Sequence, residues 1–294
     1  MEDTSGRQIA RNKGAPDQLT ADQLAVDQVA VDQVAVDQVA VTGASSGLGR
    51  ALALACARPG ATLHLAARDA ARLAETAAAC RARGAGVRET LLDVRDGAAC
   101  AAWIDGMPAI GLLIANAGIS GGTGGVAEPA GQVRAIFETN VTGVLNTALP
   151  AMERMAGQTP GADGVRGRVA VIASVAAFFA APGAAAYCAS KSAVQRWAEA
   201  TDATERHRGI RLHAVCPGYI RTPMTAVNRF PMPLMLEPEE AARRTLAGIA
   251  AGRTRIAYPW PTYAMARLAG ALPLWLQALL ASRVPSKPVT QPEG

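Results

Sequence analysis

The sequence predicts an α/β domain, a doubly wound parallel sheet with helices on both faces. Three observations point to it. Between Val39 and Tyr258, short apolar runs alternate with helical stretches, the pattern of repeated strand–crossover–strand units. A glycine-rich turn, Thr42-Gly43-Ala44-Ser45-Ser46-Gly47-Leu48-Gly49, joins the first apolar run to the first helical stretch. The chain has 294 residues and half of them are hydrophobic, which suits one large core. Aromatics are only 4 %, and much of the apolar content is alanine, as close-packed helices require.

Each element has its own signal. Val39–Thr42 reads as a short buried strand. Gly47–Arg58 reads as a helix, stopped by Pro59-Gly60. Ala61–Ala67 is the second strand. Asp69 can cap the next helix, which runs to about Arg83 and ends at Gly84. Val87–Val94, Ile110–Ala115, Arg168–Ser174 and Ile210–Cys216 are the third to sixth strands, and the run near Ile256 is a seventh at the sheet edge. A parallel sheet binds its ligands at the carboxyl ends of its strands.

Residues 1–36 are expected to be an extension outside this domain. From Ala21 to Val41 a five-residue unit, A-V-D-Q-V, repeats with small variations. A period of five matches neither the strand nor the helix repeat, so no single face stays apolar. The reading is a disordered extension whose last copy, Asp37 to Val41, enters the first strand. The net charge of +5 fits a soluble surface or steering of anionic ligands. No basic run with interleaved aromatics points to nucleic acid. The N-terminal segment lacks the apolar stretch of a secretory signal. The five cysteines, Cys56, Cys80, Cys100, Cys188 and Cys216, show no C-x-x-C spacing, and read as reduced thiols of a cytoplasmic protein. His64, His207 and His213 have no metal-ligand spacing, and no metal site is expected.

The residues with chemistry lie further on. Tyr187 and Lys191 are four apart, so they share one helix face. A free tyrosine titrates near ~10, and a neighbouring ammonium favours its phenolate. Ser174, thirteen positions before Tyr187, has a hydroxyl able to hold a carbonyl oxygen. Together they suit proton transfer to a C=O/CH–OH couple. The turn of Gly43, Gly47 and Gly49 lets backbone approach a pyrophosphate at a helix N-terminus.

T-G-x-x-x-G-x-G from Thr42, Asn116-Ala117-Gly118, N-x-x-G at Asn140, Ser174, Y-x-x-x-K at Tyr187, and Pro217-Gly218 occur in that order. This set resembles the short-chain dehydrogenase/reductase family, in its shorter single-domain branch. The match covers roughly Asp37 to Tyr258, so residues 37–258 are expected to be one NAD(P)-binding Rossmann-type domain. Residues 259–294 are then an apolar helical extension and tail.

The resemblance assigns roles by position. It places Ser45, Ser46 and Leu48 with the glycines on the cofactor. Asn116, Ala117 and Gly118 would line the adenine-ribose side, and Asp93 would meet the adenine ring with Val94 beside it. Asn140 would hold a water linking Lys191 to solvent. Ser174 would orient the substrate oxygen, and Tyr187 would act as general acid or base. Lys191 would bind the nicotinamide ribose and depress the tyrosine pKa. Pro217, Gly218, Ile220 and Thr222 would hold the nicotinamide. The resemblance also implies a homodimer or homotetramer, often through the helices carrying Asn140 and Tyr187.

Cofactor choice turns on the end of the second strand. An NAD site carries an acid there for the ribose 2′-hydroxyl. Here Ala67 takes that place, and Arg68 can fork onto a 2′-phosphate, with Ser45 adding a hydroxyl. The expectation is NADP(H) over NAD(H), unless Asp69 neutralises Arg68 instead of capping its helix. The segment after Thr222, rich in Pro, Met and Leu, falls where the family has its lid. With Phe178 and Phe179 as an opposite wall, it favours an apolar carbonyl or alcohol substrate. The stretch Ser120–Pro129 reads as a flexible loop that borders the pocket or simply connects. The apolar C-terminal stretch, broken by Pro259, Pro261, Pro273 and Arg267, is too interrupted to span a membrane. It packs on the pocket or on a partner subunit, or lies on a membrane surface. The expected function is an NADP-dependent oxidoreductase, against a non-catalytic dinucleotide sensor or a membrane-surface scaffold on the same fold.

Overall fold

A computed structural model describes residues 36–123, 127–228, 230–281 and 289. The repeat before Val36, three positions of the Ser120–Pro129 loop, Arg229 of the lid and most of the tail after Ala281 lie outside the described residues.

The first half of the chain builds β1 (Gln38–Thr42), α1 (Gly47–Cys56), β2 (Thr62–Ala67), α2 (Ala70–Arg81), β3 (Gly86–Leu91), α3 (Gly97–Asp105) and β4 (Leu112–Ala115). Then come α4 (Ala130–Phe137), a π-helical turn Glu138–Thr142, α5 (Gly143–Ala156), β5 (Gly167–Ile172), α6 (Ala185–Glu205) and β6 (Ile210–Pro217). The chain continues with the single turn α7 (Pro223–Ala226), α8 (Pro238–Ala250), β7 (Arg255–Tyr258), α9 (Trp260–Ala271) and α10 (Leu274–Ala281).

All seven strands are parallel, in the order β3-β2-β1-β4-β5-β6-β7. Strand side chains alternate between two cores. Val39, Val41, Leu63, Leu65, Leu112 and Ile114 face α1, α2 and α8, while Ala40, Ala66, Leu113 and Ala115 face α3, α5 and α6. Helices on both faces explain why the inner strands read as continuous apolar runs. Chain direction across the sheet reverses between β1 and β4, which opens a crevice at their carboxyl ends.

Some boundaries differ from those expected. The third strand ends at Leu91, not Val94, because it is an edge strand whose pattern GVRETL leaves most positions exposed. Leu92 and Val94 are apolar because they bury in the core beneath the strand end. The fifth strand ends at Ile172, and Ser174 caps a short 3-10 turn, Val175–Phe178, through Ala176 N at 3.1 Å. All five cysteines are buried and unpaired. His64 is packed, with Nε2 3.1 Å from Gln38 Oε1, and no metal-holding cluster exists among the described residues.

One buried carboxylate fastens α6 to the far side of the sheet. Asp202 is fully buried and accepts from Arg206 Nη2 (2.6 Å), Arg211 Nε (2.9 Å), Leu212 N (2.9 Å) and Thr254 Oγ1 (2.6 Å). Burial alone would raise its pKa, but the bonds from Arg211, Thr254 and the Leu212 amide win and hold the carboxyl well below its usual range. Asp202→Ala strands these donors and is expected to cost about 3–5 kcal/mol in urea unfolding. Because the folded pKa is depressed, this stabilisation is present above the unfolded value of ~3.9 and fades as pH falls below it. Loss of less than ~1 kcal/mol in the variant would contradict this account.

Candidate functional site

A cleft of 590 Å³ opens at the carboxyl ends of the strands, running from Arg68 and Asp93 to Ser174, Tyr187 and Lys191. Its floor is the glycine-rich turn. Gly43 and Gly47 take positive φ values of 64° and 51°, which only glycine adopts without strain. A Cβ on Gly49 would overlap the Gly43 carbonyl oxygen and the Asn116 amide. The first turn of α1 carries no acid, and Ser46 at its N-cap makes no side-chain cap bond. Gly47, Leu48 and Gly49 line the cleft, so the free amides and dipole of α1 are offered to an anion.

The turn is held from the neighbouring strand. Asn116, just past β4, donates through Nδ2 to Thr42 O (3.0 Å) and Gly43 O (3.1 Å). Thr42 Oγ1 accepts from Asn116 N (3.0 Å) and Ala117 N (3.1 Å). Thr42 was missed as a site residue. Its signal was its place as the last residue of β1 beside the reversal in strand order.

At one end of the cleft, Ala67, Arg68, Asp69 and Arg72 share the wall. Asp69 caps α2 through Arg72 N (3.0 Å) and binds Arg72 Nε (2.6 Å). Its carboxylate is therefore committed to Arg72, and Arg68 makes no ion pair among the described residues. Arg72 was missed as well, though it stands four positions from Arg68. Beside them, the Asp93 carboxylate is gripped by Arg95 N (2.9 Å), Nε (2.8 Å) and Nη2 (2.6 Å). Arg95 holds it below the usual carboxylate range.

At the other end the catalytic candidates meet. Tyr187 keeps an edge open to the cleft, while Ser174 and Lys191 are buried at its wall. Burial pushes the Tyr187 phenol up to about 12, against a hydrogen bond from Ser174 that lowers it. The depression expected from Lys191 is not found: the Ser174 hydrogen bond is what lowers the phenol, and loss of hydration outweighs it. Lys191 Nζ lies 5.9 Å from the Tyr187 ring centre and donates to Ile172 O at 2.7 Å. Burial brings the Lys191 ammonium down to about 8.

Asn140 sits behind the wall on the π-helical turn. Its carboxamide is spent on Ile119 N (2.8 Å), Ile119 O (2.9 Å) and Ser190 Oγ (3.1 Å), joining the loop after β4 to α6. A second join went unread in the sequence. Ala184 gives α6 no side-chain cap, and Glu128 Oε2 instead accepts from Ala186 N at 2.9 Å, one residue before Tyr187. The loop itself is packed, not loose, over Ser120 to Thr123, where Gln132 Nε2 donates to Gly122 O at 3.0 Å.

Pro217, Gly218, Ile220 and Thr222 form the facing wall with Met224 and Thr225. Gly218 N donates to Tyr258 O at 2.7 Å, fixing this wall to β7. Phe178 and Phe179 do not line the cleft as expected. The Phe178 ring packs edge-on against Tyr263 of α9 (5.2 Å), with Arg255 and Arg267 over it at 5.4 and 5.7 Å.

A sequence model described as short chain dehydrogenase matches residues 37–231. A protein of Myxococcus xanthus, named only as an oxidoreductase, is 35 % identical over 79 % of this chain and 91 % of its own. A short-chain dehydrogenase/reductase of Burkholderia phymatum, solved in complex with NAD, is 25 % identical with a TM-score of 0.71, over 87 % of this chain and 98 % of that one. A short-chain dehydrogenase of Sphingobium yanoikuyae, solved in complex with NADPH, is 27 % identical with a TM-score of 0.70, over 88 % and 98 %.

Asn116→Ala removes the two bonds that brace the turn. It is expected to cost about 1–3 kcal/mol in unfolding free energy and to weaken dinucleotide binding with it, read by denaturation and by titration of the same sample. Unchanged stability and affinity would show that the turn holds itself.

Proposed function

The chain belongs to the short-chain dehydrogenase family, and from that premise we propose that it interconverts a ketone or aldehyde with an alcohol, preferring NADP(H) to NAD(H). The chain is an oxidoreductase of a family whose solved relatives hold a nicotinamide dinucleotide. The cleft suits that group, because its glycine turn admits no side chain and offers uncapped helix amides. The observation that carries the reading is one continuous cleft with Arg68 at one end and Ser174, Tyr187 and Lys191 together at the other.

The roles follow from position. A bound nicotinamide dinucleotide supplies the hydride acceptor or donor. Gly43, Ser45, Ser46, Gly47, Leu48 and Gly49 cradle its phosphates. Asp93, Val94, Asn116, Ala117 and Gly118 line one side of it, and Pro217, Gly218, Ile220 and Thr222 hold the other. Ser174 Oγ donates to the substrate oxygen and fixes its distance from the Tyr187 hydroxyl. Tyr187 gives its proton to that oxygen in reduction and takes it in oxidation. A phenol pushed up to about 12 is protonated at neutral pH, so reduction begins with the donor loaded. Lys191 stabilises the phenolate left behind. Asn140 and Glu128 keep α6 and the loop after β4 in register, so that Tyr187 stays aimed. The apolar segment around Met224 favours an apolar carbonyl substrate.

NADP preference rests on Arg68. With Asp69 bound to Arg72, Arg68 is left to fork onto a 2′-phosphate. Arg68→Ala is expected to weaken NADPH binding by about 10–100-fold, the worth of a charged hydrogen bond, with NADH unchanged. Titrating nicotinamide fluorescence with both cofactors checks it, and equal losses for NADPH and NADH would sink the assignment.

Tyr187→Phe is expected to lower turnover of a ketone panel by at least about 100-fold while NADPH affinity stays within a few-fold. Retained activity would end the mechanism. The pH profile tests Lys191 separately. Its lowered pKa places loss of its charge near 8, so the reduction rate should fall as pH rises through about 8, well before Tyr187 titrates. A profile flat to pH ~10 would remove the requirement for a charged lysine.

A further inference from the structure

The outer face of the two C-terminal helices is not consumed by the fold. The inner flank of α9 is fixed to the body through buried Thr262 and Ala266. Tyr263 meets Phe178, and a Cβ on Gly270 would overlap the Phe178 carbonyl oxygen. The opposite flank is apolar and bare. Trp260 is 73 % exposed, Leu268 67 %, Leu274 75 % and Trp275 69 %, with Met265 and Leu279 beside them. Six of the thirteen exposed large hydrophobics among the described residues fall here, so the exposure is a patch, not scatter.

We propose that this face, carried by α9 and α10, seats the protein on an anionic lipid surface. Charge selects the occupant. From Ala241 to Pro292 the sequence holds no Asp or Glu, while its cations include Arg253, Arg267, Arg283 and Lys287. Arg267, exposed on α9 between Met265 and Leu268, lays its guanidinium over the Phe178 ring at the border of this face, and Arg253 is exposed in the turn before β7. A two-fold contact with a second copy presses like surface on like, and this segment brings cations and no carboxylate to it from either side. Anionic headgroups supply the missing charge, and acyl chains take up the leucines. Tryptophan belongs at that boundary, its ring apolar and its N–H wet. No described helix is long and apolar enough to cross a membrane, and a proline separates α9 from α10. Two short helices of this kind lie in the plane of the interface. The inference does not depend on the reaction assigned to the cleft.

Flotation of the full chain with vesicles decides it. With phosphatidylcholine–phosphatidylglycerol vesicles, most of the protein is expected in the lipid fraction, and raised salt returns it to solution. Pure phosphatidylcholine vesicles should recover at least about tenfold less, since each cation near the surface contributes about 1 kcal/mol. The double variant Leu268→Glu/Trp275→Glu, altered only at exposed positions, should stay soluble with unchanged melting and unchanged NADPH affinity. Absence of flotation with anionic vesicles overturns the proposal, as does equal recovery with neutral ones. A dimer in sedimentation velocity that the double variant dissolves, without vesicle binding, assigns the face to a second copy instead.

Discussion

The join between Thr42 and Asn116 is the constraint on which the site depends. β1 and β4 are neighbours in the sheet, but the chain leaves them in opposite directions. The crevice between their ends exists only if the two exits are kept at a fixed spacing. The Thr42 hydroxyl and the Asn116 carboxamide take part in five hydrogen bonds across this join, two of them onto the glycine turn. Gly49 completes the join, because it brings α1 so close that no side chain fits between helix and turn. The free amides of α1 are thus positioned by a neighbouring strand, not by their own helix.

The reacting end is built on the opposite principle. Asp202 shows how the chain buries charge for stability, with two arginines, a hydroxyl and a backbone amide on its two oxygens. Lys191 is buried almost as deeply, yet among the described residues its ammonium donates to a single carbonyl oxygen, and its pKa falls to about 8. Tyr187 rises to about 12 in the same surroundings. Loss of hydration pulls both groups towards their neutral forms, which draws a lysine down and a phenol up. On the function proposed above, an oxygen gaining negative charge here would return to Lys191 an interaction that burial removed.

The fold was legible because its strands are buried on two faces, and two-sided burial writes itself as unbroken apolar runs. The central strands were placed to within a residue or two. Legibility failed where burial and strand pairing part company. Leu92 and Val94 are apolar for the core under the strand end, so the run outlasts β3. The set of cleft residues was readable from motif order, since most of them sit in turns whose glycines and prolines are required by backbone shape. Thr42, Arg72 and Glu128 were not, because their parts come from what they touch across the fold. Phe178 was misplaced for the same reason. Its position after Ser174 suggested a pocket wall, and only the packing of α9 shows that the ring is already taken.

That packing links the cleft to the C-terminal helices. α9 rests on the turn that follows Ser174, and Gln277 Oε1 of α10 accepts from Ala180 N at 3.5 Å, so both helices pack on the segment between Ser174 and Tyr187. A helix normally turns its apolar stripe inward. Here Thr262, Ala266 and Gly270, with the Tyr263 ring against Phe178, make the inner contact, while tryptophan and leucine point outward. Had the inner contact been made by leucine, the outer face would need no explanation. Small residues inside bring the helix close to the body and leave the large apolar side chains for a surface other than water.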